Sequence, residues 1–161
     1  MSNIETRHPN PLVKWAGGKR QLLDRIAARM PVNGYETLYE PFIGGGAVFF
    51  SLCPEKTVIN DINRELINLY RTVKRDPEEL IAAIDRIDDG IPEDADEAKA
   101  YYYAMRQRYN ELIAAQARNA EAAAMLVFIN KHCFNGLYRV NAKGLDLQNR
   151  SQIGSGETLF L

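Results

Sequence analysis

Two cysteines, two histidines and one tryptophan are all that the 161 residues hold of these three types. Cys53 and Cys133 are too few for the disulfide framework of a small secreted scaffold, and Met1 to Asn10 lack the apolar stretch of a signal peptide. A cytoplasmic chain with both thiols reduced is the expectation. His132 and Cys133 are adjacent while Cys53 is remote, so no metal-ligand spacing exists and both positions read as structural. No apolar run approaches the roughly 18 residues of a membrane span, which removes a membrane from the expected partners. The content of 46% apolar, 25% charged and 9% aromatic residues excludes a disordered or collagen-like chain. It suffices for one compact domain, or for one and a half small ones.

An excess of either charge is also lacking, since the net charge is only -1, but the average hides strong segregation. Residues 1–35 carry six basic side chains against two acidic, residues 76–97 ten acidic against Arg86 alone, and residues 98–150 eight basic against three acidic. A nucleic acid could be held by the two basic blocks with the middle facing away. A solvated acidic helical face accounts for the middle block equally simply.

Apolar positions at helical spacing predict an amphipathic helix from Gly18 to Met30, stopped by Pro31 and Gly34. Thr37 to Phe42 and Thr57 to Asp61 read as strands, separated by a glycine turn and an apolar run, Ala47 to Leu52, that suits a buried helix. Together they form one βαβ unit. From there the pattern is helical, with segments at about Ile62 to Lys74, Pro77 to Ile87 after an Asp76 cap, Ala95 to Ala117 and Ala120 to Cys133. The glycine-bearing stretch from Asn135 to Leu161 suggests a hairpin or an ill-ordered end. Two parallel strands leave edges and faces poorly covered, so the pattern predicts part of a larger α/β fold.

Lys14-Trp15-Ala16-Gly17-Gly18-Lys19 invites comparison with a phosphate-binding P-loop, but no Gly stands where the motif's first Gly belongs and Arg20 stands where Ser or Thr belongs. What remains is an aromatic ring, a flexible glycine pair and a cation ahead of a helix, which suits a ligand carboxylate. A helix-capping loop with Trp15 as core anchor is the other reading. Glu40-Pro41-Phe42-Ile43-Gly44-Gly45-Gly46 follows the first strand and Asp61 ends the second. Glycines at such a turn admit a ligand to the backbone, and an acidic residue ending the next strand can accept bonds from ribose hydroxyls. Phe49 replaces the third glycine of G-x-G-x-x-G, which disfavours a dinucleotide. A tight turn, with Asp61 capping the following helix, is the structural alternative.

In this order the boxes resemble the amino-terminal part of the Dam-type (D12 class) adenine-specific N6 DNA methyltransferases, whose members open with K-W-A-G-G-K and continue with E-P-F-x-G-x-G and D-I-N. The third box here is Asp61-Ile62-Asn63. The resemblance implies an α/β fold, an incomplete Rossmann-like S-adenosylmethionine-dependent methyltransferase fold with a helical target-recognition insert. It implies a cofactor site of Trp15, Ala16, Gly17, Lys19, Glu40, Pro41, Phe42, Gly44, Gly46, Asp61 and Ile62, with Trp15 and Lys19 near the methionine end, Asp61 on the ribose and Ile62 on the adenine. A family signature like N-x-x-x-Y-N-G-L-x-R-x-N matches Asn130 to Asn141, with Phe134 in place of Tyr. This implies double-stranded DNA as partner, contacted by Phe134, Asn135, Leu137, Arg139 and Asn141. An aromatic at a helix end can wedge into a base stack and an Arg can bond bidentately to guanine; core packing is the other use for Phe134.

The implied organisation is a cofactor-binding part at 1–63, a recognition insert at 64–144 and a divergent tail at 145–161. The family's [DN]-P-P-[YFW] motif holds the exocyclic amine of the flipped adenine, and here no two prolines are adjacent. No catalytic residue is therefore assigned, and the 161 residues are expected to be inactive alone, as a truncated or frameshifted form or one completed by a second polypeptide. A non-catalytic DNA-binding module is the alternative function.

Overall fold

The structure, a computed structural model, describes residues 9–133. They fall into two compact units that divide between Ile62 and Asn63. The predicted DNA-contact residues Phe134, Asn135, Leu137, Arg139 and Asn141, and the tail at 145–161, lie outside the described residues.

The first unit opens with a 3₁₀ turn at Lys19–Leu22 that runs into the short helix α1, Leu23–Ala27. The continuous helix expected from Gly18 to Met30 does not form. No side chain caps either segment and neither buries a residue, so little tertiary packing supports further turns. Strand β1 is Leu38–Glu40, helix α2 is Ala47–Leu52 and strand β2 is Thr57–Ile59. The strands pair in parallel with Leu38 opposite Thr57, Tyr39 opposite Val58 and Glu40 opposite Ile59. This is the expected βαβ unit with shorter strands, since at their ends the backbone turns to bond the loop. The Asn60 N–H donates to the Glu40 carbonyl and the Ile43 N–H to the Asn60 carbonyl, each at 2.9 Å. Of α2 only Val48 is fully buried, fewer than its apolar run predicts. Val13 and Ile43 are buried in the same unit.

The second unit is helical throughout its described residues: α3 at Arg64–Arg75, α4 at Pro77–Asp88, α5 at Ala95–Ala114 and α6 at Ala120–His132. Each begins at a side-chain cap of the kind that favours helix initiation, namely Asn63, Asp76, Asp94 and Asn119. Helix α3 starts two residues later than expected because Asn63 accepts the Leu66 N–H at 2.8 Å. Helix α5 stops at Ala114, three residues early, where the chain passes through Gln116 at φ 54°. Every residue of α6 from Ala122 to Asn130 is buried, and α3, α4 and α5 pack around it. A helix apolar on all sides has to lie at the centre of its bundle.

Polar contacts hold the loops of this bundle in place. Asn68 donates to the Asn119 carbonyl at 3.0 Å and Arg118 pairs with the buried Glu65 at 3.0 Å, so the α5–α6 loop is tied to α3. Burial holds the Glu65 carboxyl above its ordinary range, against the pull of Arg118 and Arg64. Lys131 pairs with Asp88 at 3.1 Å and Tyr101 donates to the Ile87 carbonyl at 2.8 Å, joining α6 and α5 to the end of α4. No described helix is long and apolar enough to cross a membrane.

Candidate cofactor site

The three sequence boxes of the first unit meet at the carboxyl ends of its parallel strands, where α/β sheets place ligands. Lys19, just after the glycine pair of the first box, reaches the end of β1. Its ammonium donates to Glu40 Oε1 at 2.9 Å and to the Phe42 carbonyl. Glu40 is the last residue of β1 and only 6% exposed, and its Oε2 is buried without a hydrogen-bond partner. A buried carboxylate oxygen left in that state is costly, and a cationic donor would satisfy it.

The second junction lies one turn further on. The Gly44 N–H donates to Asp61 Oδ2 at 3.0 Å, so the loop after β1 is locked to the segment that follows β2. Asp61 therefore does not cap the next helix, which is the work of Asn63. A turn with Asp61 as helix cap is excluded.

Glycine is required here for two separate reasons. Gly44 has φ +53° and a Cβ there would stand 3.3 Å from Trp15 Cδ1, so the indole lies against this turn. Trp15 is only half-buried, a wall of the loop rather than the core anchor. At Gly45 a Cβ would stand 2.7 Å from the Val13 carbonyl oxygen, a backbone atom that cannot swing away. Gly46, at φ +84°, ends the turn and leads into α2.

Of the predicted cofactor residues, Trp15, Lys19, Glu40, Phe42, Gly44 and Asp61 are thus joined by direct contacts. Ala16, Gly17 and Pro41 are exposed, as are the side chains of Phe42 at 70% and Ile62 at 91%. Sequence reasoning missed the Phe42 carbonyl, the Val13 carbonyl and both backbone bonds of Asn60. Backbone groups are present at every position and leave no compositional trace. Among the described residues, no group of three or more His, Cys, Asp or Glu side chains could hold a metal ion.

Comparison with known proteins bears on this geometry. Residues 15–145 match the family model of the D12 class N6 adenine-specific DNA methyltransferases. Type II methyltransferase M1.LlaDCHI of Lactococcus lactis subsp. cremoris is 44% identical over 133 residues, which are 83% of this chain and 44% of the relative. Type II methyltransferase M.MjaIII of Methanocaldococcus jannaschii is 38% identical over 143 residues, 83% of this chain and 49% of the relative. The DNA adenine methylase of Haemophilus influenzae is 38% identical over 141 residues, 83% and 44% of the two chains. The chain spans a little under half the length of these relatives. Matched across most of its length, it belongs to the D12 class N6 adenine-specific DNA methyltransferases.

Proposed function

We propose that this chain carries the cofactor-binding start and the helical recognition insert of an adenine-N6 DNA methyltransferase that uses S-adenosylmethionine. Residues 1–63 then belong to an incomplete Rossmann-like cofactor domain and 64–144 to the insert. The observation that carries the reading is the pair of locks around the glycine turn, Lys19 to Glu40 and Gly44 to Asp61.

The donor set suits that cofactor. A carboxylate has about four acceptor sites, so the bond from Gly44 orients Asp61 while a ribose diol remains within its capacity. The buried Glu40 Oε2 suits the methionine ammonium. Lys19 has three N–H donors, of which Glu40 and Phe42 take two, and the third suits a carboxylate. Exposed Phe42 and Ile62 offer apolar surface to an adenine ring.

When bound, the cofactor supplies a sulfonium methyl group for in-line transfer to N6 of adenine. This chain's residues bind and orient it, and the gain comes from positioning. Duplex DNA is the proposed partner, with Phe134 and Arg139 as the stacking and guanine-reading groups and Asn135, Leu137 and Asn141 beside them. The grip on the amine, which the family takes from [DN]-P-P-[YFW], has no counterpart in these 161 residues.

Isothermal calorimetry with S-adenosylmethionine tests the reading. Weak binding that Asp61→Ala abolishes is the expected result. Unchanged binding by Asp61→Ala would remove Asp61 from the site.

A further inference from the structure

The loop between α5 and α6 is seated against strain. Helix α5 ends in the bond pattern of a left-handed cap, with the Gln116 N–H donating to the Ile113 carbonyl and the Ala117 N–H to the Leu112 carbonyl, each at 2.9 Å. Glycine normally takes the left-handed position of that motif, and here Gln116 takes it, at φ 54°. A side chain persists in that conformation only where other contacts fix it. They come from one face of α3, where Glu65 pairs with Arg118 and Asn68 donates to the Asn119 carbonyl. Asn119 in turn accepts the Ala122 N–H and so caps α6.

The charged contact is the less complete of the two. Glu65 is 8% exposed, Arg118 pairs with its Oε1 at 3.0 Å, and its Oε2 is buried without a hydrogen-bond partner. Taking a carboxylate out of water can outweigh the attraction of one guanidinium. Arg64 on the same helix adds its pull to that of Arg118, yet burial exceeds both and holds the Glu65 carboxyl above its ordinary range. The helices packed on α3 supply no further compensation. Their Glu121 is paired with Arg108, Lys131 with Asp88 and Arg86 with Glu79, His132 is bonded to the Phe128 carbonyl, and Glu78 and Asp85 are exposed.

We propose that the α5–α6 loop is a pH-responsive strap, pressed open by ionised Glu65 and left-handed Gln116 and drawn down on α3 when Glu65 takes a proton. Seating the loop keeps the carboxyl out of water, and lifting it lets water in. The seated state therefore binds the proton more tightly than the lifted one, and acid favours the seated state. This contribution is full below the ordinary 4.5 and is lost as pH rises through the raised value. At neutral pH the bonds from Asn68 and Arg118 work against both the buried charge and the backbone strain. The strap lies wholly within the second unit, so its movement needs no cofactor.

Amide hydrogen exchange of the full chain, followed by NMR and corrected for the intrinsic rate at each pH, tests the strap. From about pH 7 down to about pH 4.5, protection of the Ala117 and Ala122 amides should rise several-fold. The Asp76 amide, bonded to the Thr72 carbonyl at the far end of α3, should not follow. The rise should begin at the pH where the Glu65 carboxyl carbon signal of the unaltered chain titrates, above the ordinary 4.5. Glu65→Gln should erase the response. Gln116→Gly relieves the left-handed strain and should raise loop protection about fivefold at every pH. Protection that falls or stays level on acidification, a response that survives Glu65→Gln, loop protection unmoved by Gln116→Gly, or a Glu65 carboxyl that titrates at or below 4.5 would each overturn the proposal. Because the carboxyl titration keeps Glu65 in place, it decides the matter even where Glu65→Gln does not fold.

Discussion

Gly45 and Lys19 hold the glycine loop after β1 by opposite means, one by having no side chain and the other by the reach of a long one. In Gly45→Ala the new methyl meets the Val13 carbonyl at 2.7 Å, and the backbone must shift. Overpacking of this kind costs about 1–3 kcal/mol. The expected outcome is a lower urea midpoint followed by Trp15 fluorescence, together with weaker cofactor binding. Lys19→Met removes the cation from Glu40, whose side chain is 8% exposed. Leaving that carboxylate unpaired costs about 1–3 kcal/mol or more. Adding Glu40→Gln removes the buried charge, so the double variant should be more stable than Lys19→Met alone in the same fluorescence titration. Additive losses would show that the pair contributes no coupling energy.

Helices were legible in the sequence to the extent that their caps and periodicity were local. The Asp76-Pro77 start of α4 is found as predicted, with Asp76 accepting the Glu79 N–H at 3.1 Å. The same logic overextended the first helix, because apolar spacing at Leu22, Leu23, Ile26 and Ala27 signals a face but not what covers it, and nothing there is buried. The glycine turn between β1 and α2 was legible by motif. That Lys19 serves the loop as well as any ligand depends on a contact 21 positions away, which no local pattern encodes. At the end of α6, His132 Nδ1 donates to the Phe128 carbonyl at 2.9 Å while the two rings pack together. Burial is the main reason its pKa lies below the ordinary 6.5; Lys131 adds to the effect, and the Phe128 bond and Asp88 oppose it. The folded state therefore disfavours the proton. The contribution of His132 to stability is present above about pH 6.5 and is lost as pH falls through the depressed value. Urea midpoints by circular dichroism should drop between pH 7 and pH 5, and His132→Gln should flatten that part of the drop. At the other end of the helix, Asn119→Ala removes the acceptor for the Ala122 N–H and should cost about 1 kcal/mol in the same measurement.

At the scale of the whole molecule the two units are unequal in what they bury. The first has two three-residue strands and a small core of Val13, Ile43 and Val48. The second buries Leu66, Leu69, Tyr102, Tyr109, Leu126 and Ile129 almost completely, around a central helix. Each such side chain contributes about 1.5–3 kcal/mol, so the helical unit holds the larger reserve against denaturant. Signals for the two can be separated, since Trp15 is the chain's one tryptophan and lies in the first unit, while the second supplies most of the helix. In urea the Trp15 emission should shift first and the helical circular dichroism fall later, departing from a single two-state transition. Coincident curves would mean that the small sheet is as stable as the bundle.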